Sequence, residues 1–111
     1  MGPSSDDSPF ELDRFELVLL KRPAEVSPIS EEASDQLQVL HMAHLQALTK
    51  SGDIRVAGPF DEQRDQSMRG MALYQTGSLE RARELASSDP AVVAGRLELD
   101  VMYFYCPKGN L

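Results

Sequence analysis

A single cysteine in 111 residues, Cys106, leaves the chain without an internal disulfide, which fits a reducing compartment and gives the fold no covalent staple. Near the end of the last apolar segment, that thiol reads as a small packing residue. No apolar run approaches eighteen residues, so no segment reads as a spanning helix. The first residues, with Asp6, Asp7 and Pro9, have neither the basic start nor the apolar centre of a signal peptide. The expected location is the cytoplasm. Positive charge is also short, with eleven Lys and Arg against eighteen Asp and Glu for a net charge of −7. That balance repels a polyanion, so neither nucleic acid nor an anionic membrane is an expected partner.

What remains is ordinary for one soluble domain, with 41% hydrophobic and 26% charged residues. Residues 1–12 are polar and aperiodic and read as a disordered N-terminal tail, residues 13–106 as the domain, and residues 107–111 as a polar C-terminal end. Phe15 to Lys21 carries apolar groups on both faces and predicts a strand of low exposure. Ser27 followed by Pro28, or Ser30 followed by Glu31 and Glu32, predicts a helix start, and Ser51-Gly52 its end. Ile54 to Ala57 reads as a second strand stopped by the Gly58-Pro59-Phe60 turn, and Arg69 to Thr76 as a third. Ser78 opens a second helix. Asp89-Pro90 caps a short third one closed by Gly95, and a final strand runs through Leu97, Leu99, Val101, Tyr103 and Tyr105.

The order strand, helix, strand, strand, helix, strand predicts an α+β fold of ferredoxin-like type, βαββαβ, with a four-stranded antiparallel sheet and two helices on one face. The opposite face then carries more apolar area than a monomer usually exposes, and a second copy of the chain is the expected cover. RNA-recognition domains share this topology and carry stacking aromatics on the third strand. Here Met71, Leu73 and Thr76 stand in those places, so no stacking platform is expected.

The first helix holds the candidate chemistry. With about 100° per residue, Ala33, Leu37, Leu40, His44 and Leu48 fall within an arc of about 80°, and His44 lies at its centre. A buried imidazole needs partners for its nitrogens, so His44 is either a core histidine satisfied by a carbonyl or part of a site. His41 and His44 share a face, but no third ligand stands at useful spacing, so no metal is expected. Asp89 is explained locally as a helix cap. Tyr74, Tyr103 and Tyr105 either point hydroxyls into a pocket or pack as strand aromatics.

Taken together, His41-Met-Ala-His44-Leu45-Gln-Ala-Leu48, Val56-Ala-Gly-Pro-Phe60, Arg69-Gly70, Ser78-Leu-Glu80 and Ser88-Asp89-Pro90-Ala-Val92-Val-Ala-Gly95 resemble the YCII-like family in order and spacing, over about two thirds of the chain. The resemblance implies a ferredoxin-like fold that dimerises through its sheets into an α/β barrel, and a pocket holding a histidine and an aspartate. One branch of the family uses that pair to remove halide from chloromuconolactones. Carried over by position, the pair is His44 and Asp89. Ala91 departs from the aromatic that often follows Asp-Pro, and His41 has no counterpart in the motif. The implied activity is a cofactor-free lyase, isomerase or hydrolase acting on a small organic acid or lactone. A module that binds a small metabolite without turning it over, or a purely structural dimer, are the alternatives.

Overall fold

The computed structural model describes residues 11–111; the expected tail falls on residues 1–10, outside the described residues, except for its last two positions. Leu12 already opens β1 (Leu12–Lys21). It is followed by α1 (Glu31–Ser51), β2 (Ile54–Pro59), β3 (Met68–Tyr74), α2 (Leu79–Ser87), α3 (Pro90–Val93) and β4 (Glu98–Pro107). The four strands form one sheet in the order β2-β3-β1-β4, every neighbouring pair antiparallel. This is the expected ferredoxin-like topology. β1 and β4 pair along their whole length, from Leu12 opposite Pro107 to Lys21 opposite Glu98. The C-terminal end is tied to the start of β1: Lys108 N donates to Glu11 O at 2.9 Å and Gly109 N to an Asp13 carboxylate oxygen at 3.0 Å.

Local chemistry sets the element ends. The Ser30 hydroxyl accepts from Ala33 N at 3.1 Å to start α1, and Gly52, at φ +89°, ends it in the left-handed conformation that a side chain would strain. Ser78 caps α2 in the same way through Arg81 N. Glu16 is buried, and its carboxylate accepts from Thr76 N at 2.8 Å and Thr76 Oγ1 at 2.5 Å. These bonds satisfy a charge that would otherwise be costly to bury, and they fasten β1 to the turn that enters α2.

The core lies between one face of the sheet and the helices. Val18, Leu20, Ile54, Ala72, Tyr74 and Val101 meet Ala82 and Ala86 of α2, with Leu45 and Leu48 of α1 packed at the margin. Small alanines let α2 sit close over β1 and β4, whereas α1 buries none of its residues and contacts β2 and α3. α1 therefore stands over the β2 edge and leaves space beneath it. On the other face of the sheet, Phe15 and Leu73 are buried, Leu17, Leu19 and Met71 are half-buried, and Met102 and Phe104 are exposed.

Candidate functional site

The space beneath α1 is a cavity of about 810 Å³, walled by α1, the β2–β3 edge, Ala91 of α3 and the Arg96-Leu97 approach to β4. Its α1 wall includes Leu37, Gln38, His41 and Leu45, and its sheet wall includes Ala57, Gly58 and Gly70. Gly70 makes the sheet wall possible. A Cβ there would stand 2.7 Å from Gly58 O and 3.1 Å from Pro59 Cα, so the close approach of β2 to β3 requires glycine.

Asp89 is the buried anchor of the site, only 2% exposed. One of its carboxylate oxygens, Oδ1, accepts from Ala91 N at 2.9 Å and caps α3, where Pro90 at the first turn gives up no hydrogen bond. The other, Oδ2, meets His41 Nδ1 at 2.5 Å. An ionised carboxylate can only accept, so Nδ1 carries a proton, and in the neutral ring Nε2 keeps its lone pair. His41 lines the cavity, and the Asp89 carboxylate held against it fixes the tautomer and would stabilise an imidazolium. Tyr74 lies close enough to feel this charge: burial, with the negative charges of Asp89 and Asp53, pushes its phenol above the ordinary 10.0.

The expected pairing of His44 with Asp89 is corrected here. Asp89 holds His41, and the buried Nε2 of His44 has no hydrogen-bond partner. The physical reason is a rotation of α1. Three residues along a helix is about 60° around it, and the inward face runs through Leu37, His41, Leu45 and Leu48, not through Leu40, which is 50% exposed. The same four positions were readable as a stripe spaced four, four and three. A stripe through Leu40 centres on His44, whereas the stripe through Leu45 centres on His41. Asp89 stands where the sequence placed it, at the cap. Its second bond depends on α1 crossing α3 and has no local signature. The cavity itself, and Arg96 on its wall, left no pattern in the sequence.

Among the described residues no three His, Cys, Asp or Glu side chains gather as a metal site, and no helix is long and apolar enough to cross a membrane. Cys106 is half-buried on β4.

No curated protein matches the chain in sequence. Among solved structures, the fold is similar to that of 5-chloro-2-hydroxyhydroquinone dehydrochlorinase from Burkholderia phenoliruptrix AC1100, in complex with 2,5-dihydroxybenzoquinone. The similarity has a TM-score of 0.52 at 22% identity, covering 81% of this chain and 90% of that one. It carries the architecture. The YCII-related domain matches residues 16–104, from the buried Glu16 of β1 to Phe104 of β4, and so spans every element that builds the cavity. The chain belongs to the YCII family.

Proposed function

We propose that the chain is a small-molecule enzyme in which His41, held by Asp89, removes a proton next to the carbonyl of a small organic acid or lactone. The observation that carries this reading is the 2.5 Å contact between His41 Nδ1 and the buried Asp89 carboxylate, at the wall of a cavity large enough for a ring-sized ligand. Nε2 accepts the proton and Asp89 stabilises the resulting imidazolium. The electrons left on the substrate then either take the proton back at another atom, as in an isomerase, or expel a leaving group, as in a lyase. Dehydrochlorination, the reaction that names the similar solved structure, is of the second kind: a proton and chloride depart, and one base serves the proton. Among the described residues no hydroxyl or thiol is hydrogen-bonded to His41 or Asp89, which favours a reaction without a covalent intermediate.

The active form in this reading is a homodimer joined through the outer face of the sheet. The exposed Met102 and Phe104, continuous with half-buried Leu17 and Leu19, favour that face.

The test is turnover on a panel of lactones, enolisable acids and chlorinated hydroxyhydroquinones, followed by NMR for wild type and His41→Ala. Turnover by wild type that falls roughly 10²–10⁴-fold in the variant is expected. Equal turnover by both proteins would refute the role of His41. Binding by both without turnover of any compound would replace the enzyme with a metabolite-binding module.

A further inference from the structure

The charges around the cavity run against those of the whole chain. Eighteen acidic residues outnumber eleven basic ones, yet among the described residues the cavity wall contains Lys50, Arg69 and Arg96 and not one Asp or Glu. The ion pairs among the described residues are His41–Asp89, Arg81–Glu84 and Lys108–Glu11, so none of the three cations on the wall has a carboxylate partner there.

Arg96 is the cation tied to the dyad. Its backbone N–H donates to Ala91 O at 2.9 Å, and Ala91 N is the group capped by Asp89. One guanidinium nitrogen donates to Ser27 O, just before α1, so the side chain spans the entrance of α1 and borders the cavity beside Ile29 and Ser34. A guanidinium has five N–H donors, and the bond to Ser27 uses one. The remaining fork matches the geometry of a carboxylate or of two adjacent oxyanions. Lys50 is exposed in the last turn of α1, and Arg69, exposed on β3, donates to Gln66 O at 3.2 Å in the loop before that strand, so of the three cations Arg96 is the one that is half-buried.

We infer that the ligand of this cavity is a small organic anion, and that Arg96 is the specificity-determining residue that takes its charged group. The inference rests on the proposed use of the cavity, and it adds what the dyad alone lacks. The buried negative charge of Asp89 repels an anion approaching His41. A half-buried arginine just after α3, tied back to it through Ala91 O, offsets that repulsion and fixes the orientation of the bound molecule, with its apolar body against Leu37 and Leu45. Neutral molecules of the same shape gain only the apolar contact.

The experiment measures binding by NMR titration of two anionic probes, benzoate and 2,5-dihydroxybenzoquinone, against two neutral counterparts, benzamide and 2,5-dimethoxybenzoquinone. The proteins are wild type, Arg96→Gln, Arg96→Lys, Arg69→Gln and His41→Gln, each checked for an unchanged melting profile. Wild type is expected to bind at least one anion at least tenfold more tightly than its neutral counterpart. Arg96→Gln removes that preference and leaves neutral binding unchanged. Arg96→Lys, which keeps the charge and loses the fork, retains part of it, and Arg69→Gln keeps it in full. If Arg96→Gln does not keep its melting profile, Arg96→Lys decides: a preference equal to that of wild type overturns the role of the fork. Equal binding of acid and amide by wild type, or loss of the preference in Arg69→Gln instead, overturns the assignment while leaving the cavity as the site. His41→Gln separates the two ideas, because anion preference persists there even if His41 proves to have no part in turnover. Failure of all four probes to bind wild type overturns the inference directly.

Discussion

In the proposed function His41 and Asp89 divide the labour of a single base between two elements, and their substitutions have different signatures. Asp89→Asn keeps an oxygen to cap Ala91 N but presents an amide to His41 that no longer fixes Nδ1–H. Activity is expected to fall roughly 10²–10⁴-fold with the helix content intact, measured by turnover and far-ultraviolet circular dichroism. Asp89→Ala also loses the cap and costs a further stability of about 1 kcal/mol. His44 predicts the reverse. Its buried, unpartnered Nε2 is an unmet polar group, so His44→Leu is expected to leave turnover within about twofold and to raise stability by about 1 kcal/mol in denaturant titration. Tyr74 predicts an alkaline limit. Between its ordinary 10.0 and its raised value in the fold, the unfolded chain has released the phenolic proton and the folded chain has not. Stability is therefore fully present below pH 10 and lost as pH rises above it, and Tyr74→Phe flattens that part of the decline in a pH series of thermal melts.

Among elements, the start of α2 and the Asp-Pro cap were legible because each is written within a few residues, Ser78 before Glu80 and Asp89 before Pro90, whereas α1 had two candidate starts, Ser27-Pro28 and Ser30, of which the structure uses Ser30. The facing of α1 was not legible. A helix with Val39, Leu40 and Met42 exposed and no residue buried has a diffuse apolar pattern, and only its crossing over β2 and α3 decides which stripe turns inward. That crossing selects His41 by about 60° over His44. Gly70, inside β3, allows the close approach of β2, a role its place in the strand did not announce. Gly70→Ala forces its new methyl against the backbone of Gly58 and Pro59, which cannot rotate away, and is expected to destabilise the protein by about 1–3 kcal/mol while opening the β2–β3 wall of the cavity. Chemical denaturation with ligand titration checks both effects.

For the whole molecule, the topology was legible because alternation along β1 and β4 and the two capped helices leave few ways to pair four strands. The outer sheet face leads to a prediction at this scale. Replacing Met102 and Phe104 together by Lys is expected to shift the sedimentation of the protein from dimer to monomer at micromolar concentration, with the sheet and helices retained. A wild-type protein that already sediments as a monomer would remove the dimer from the proposed function without touching the dyad.

The bond between the ring at 41 and the carboxylate at 89 is tested most directly by nitrogen NMR of histidine-labelled protein at neutral pH, since the chain holds only two histidines. The expected spectrum has a proton held at Nδ1 of His41, and in Asp89→Asn the His41 signals move while those of His44 stay in place. Signals that move for His44 instead, or for neither ring, would contradict a base held by Asp89 beneath α1.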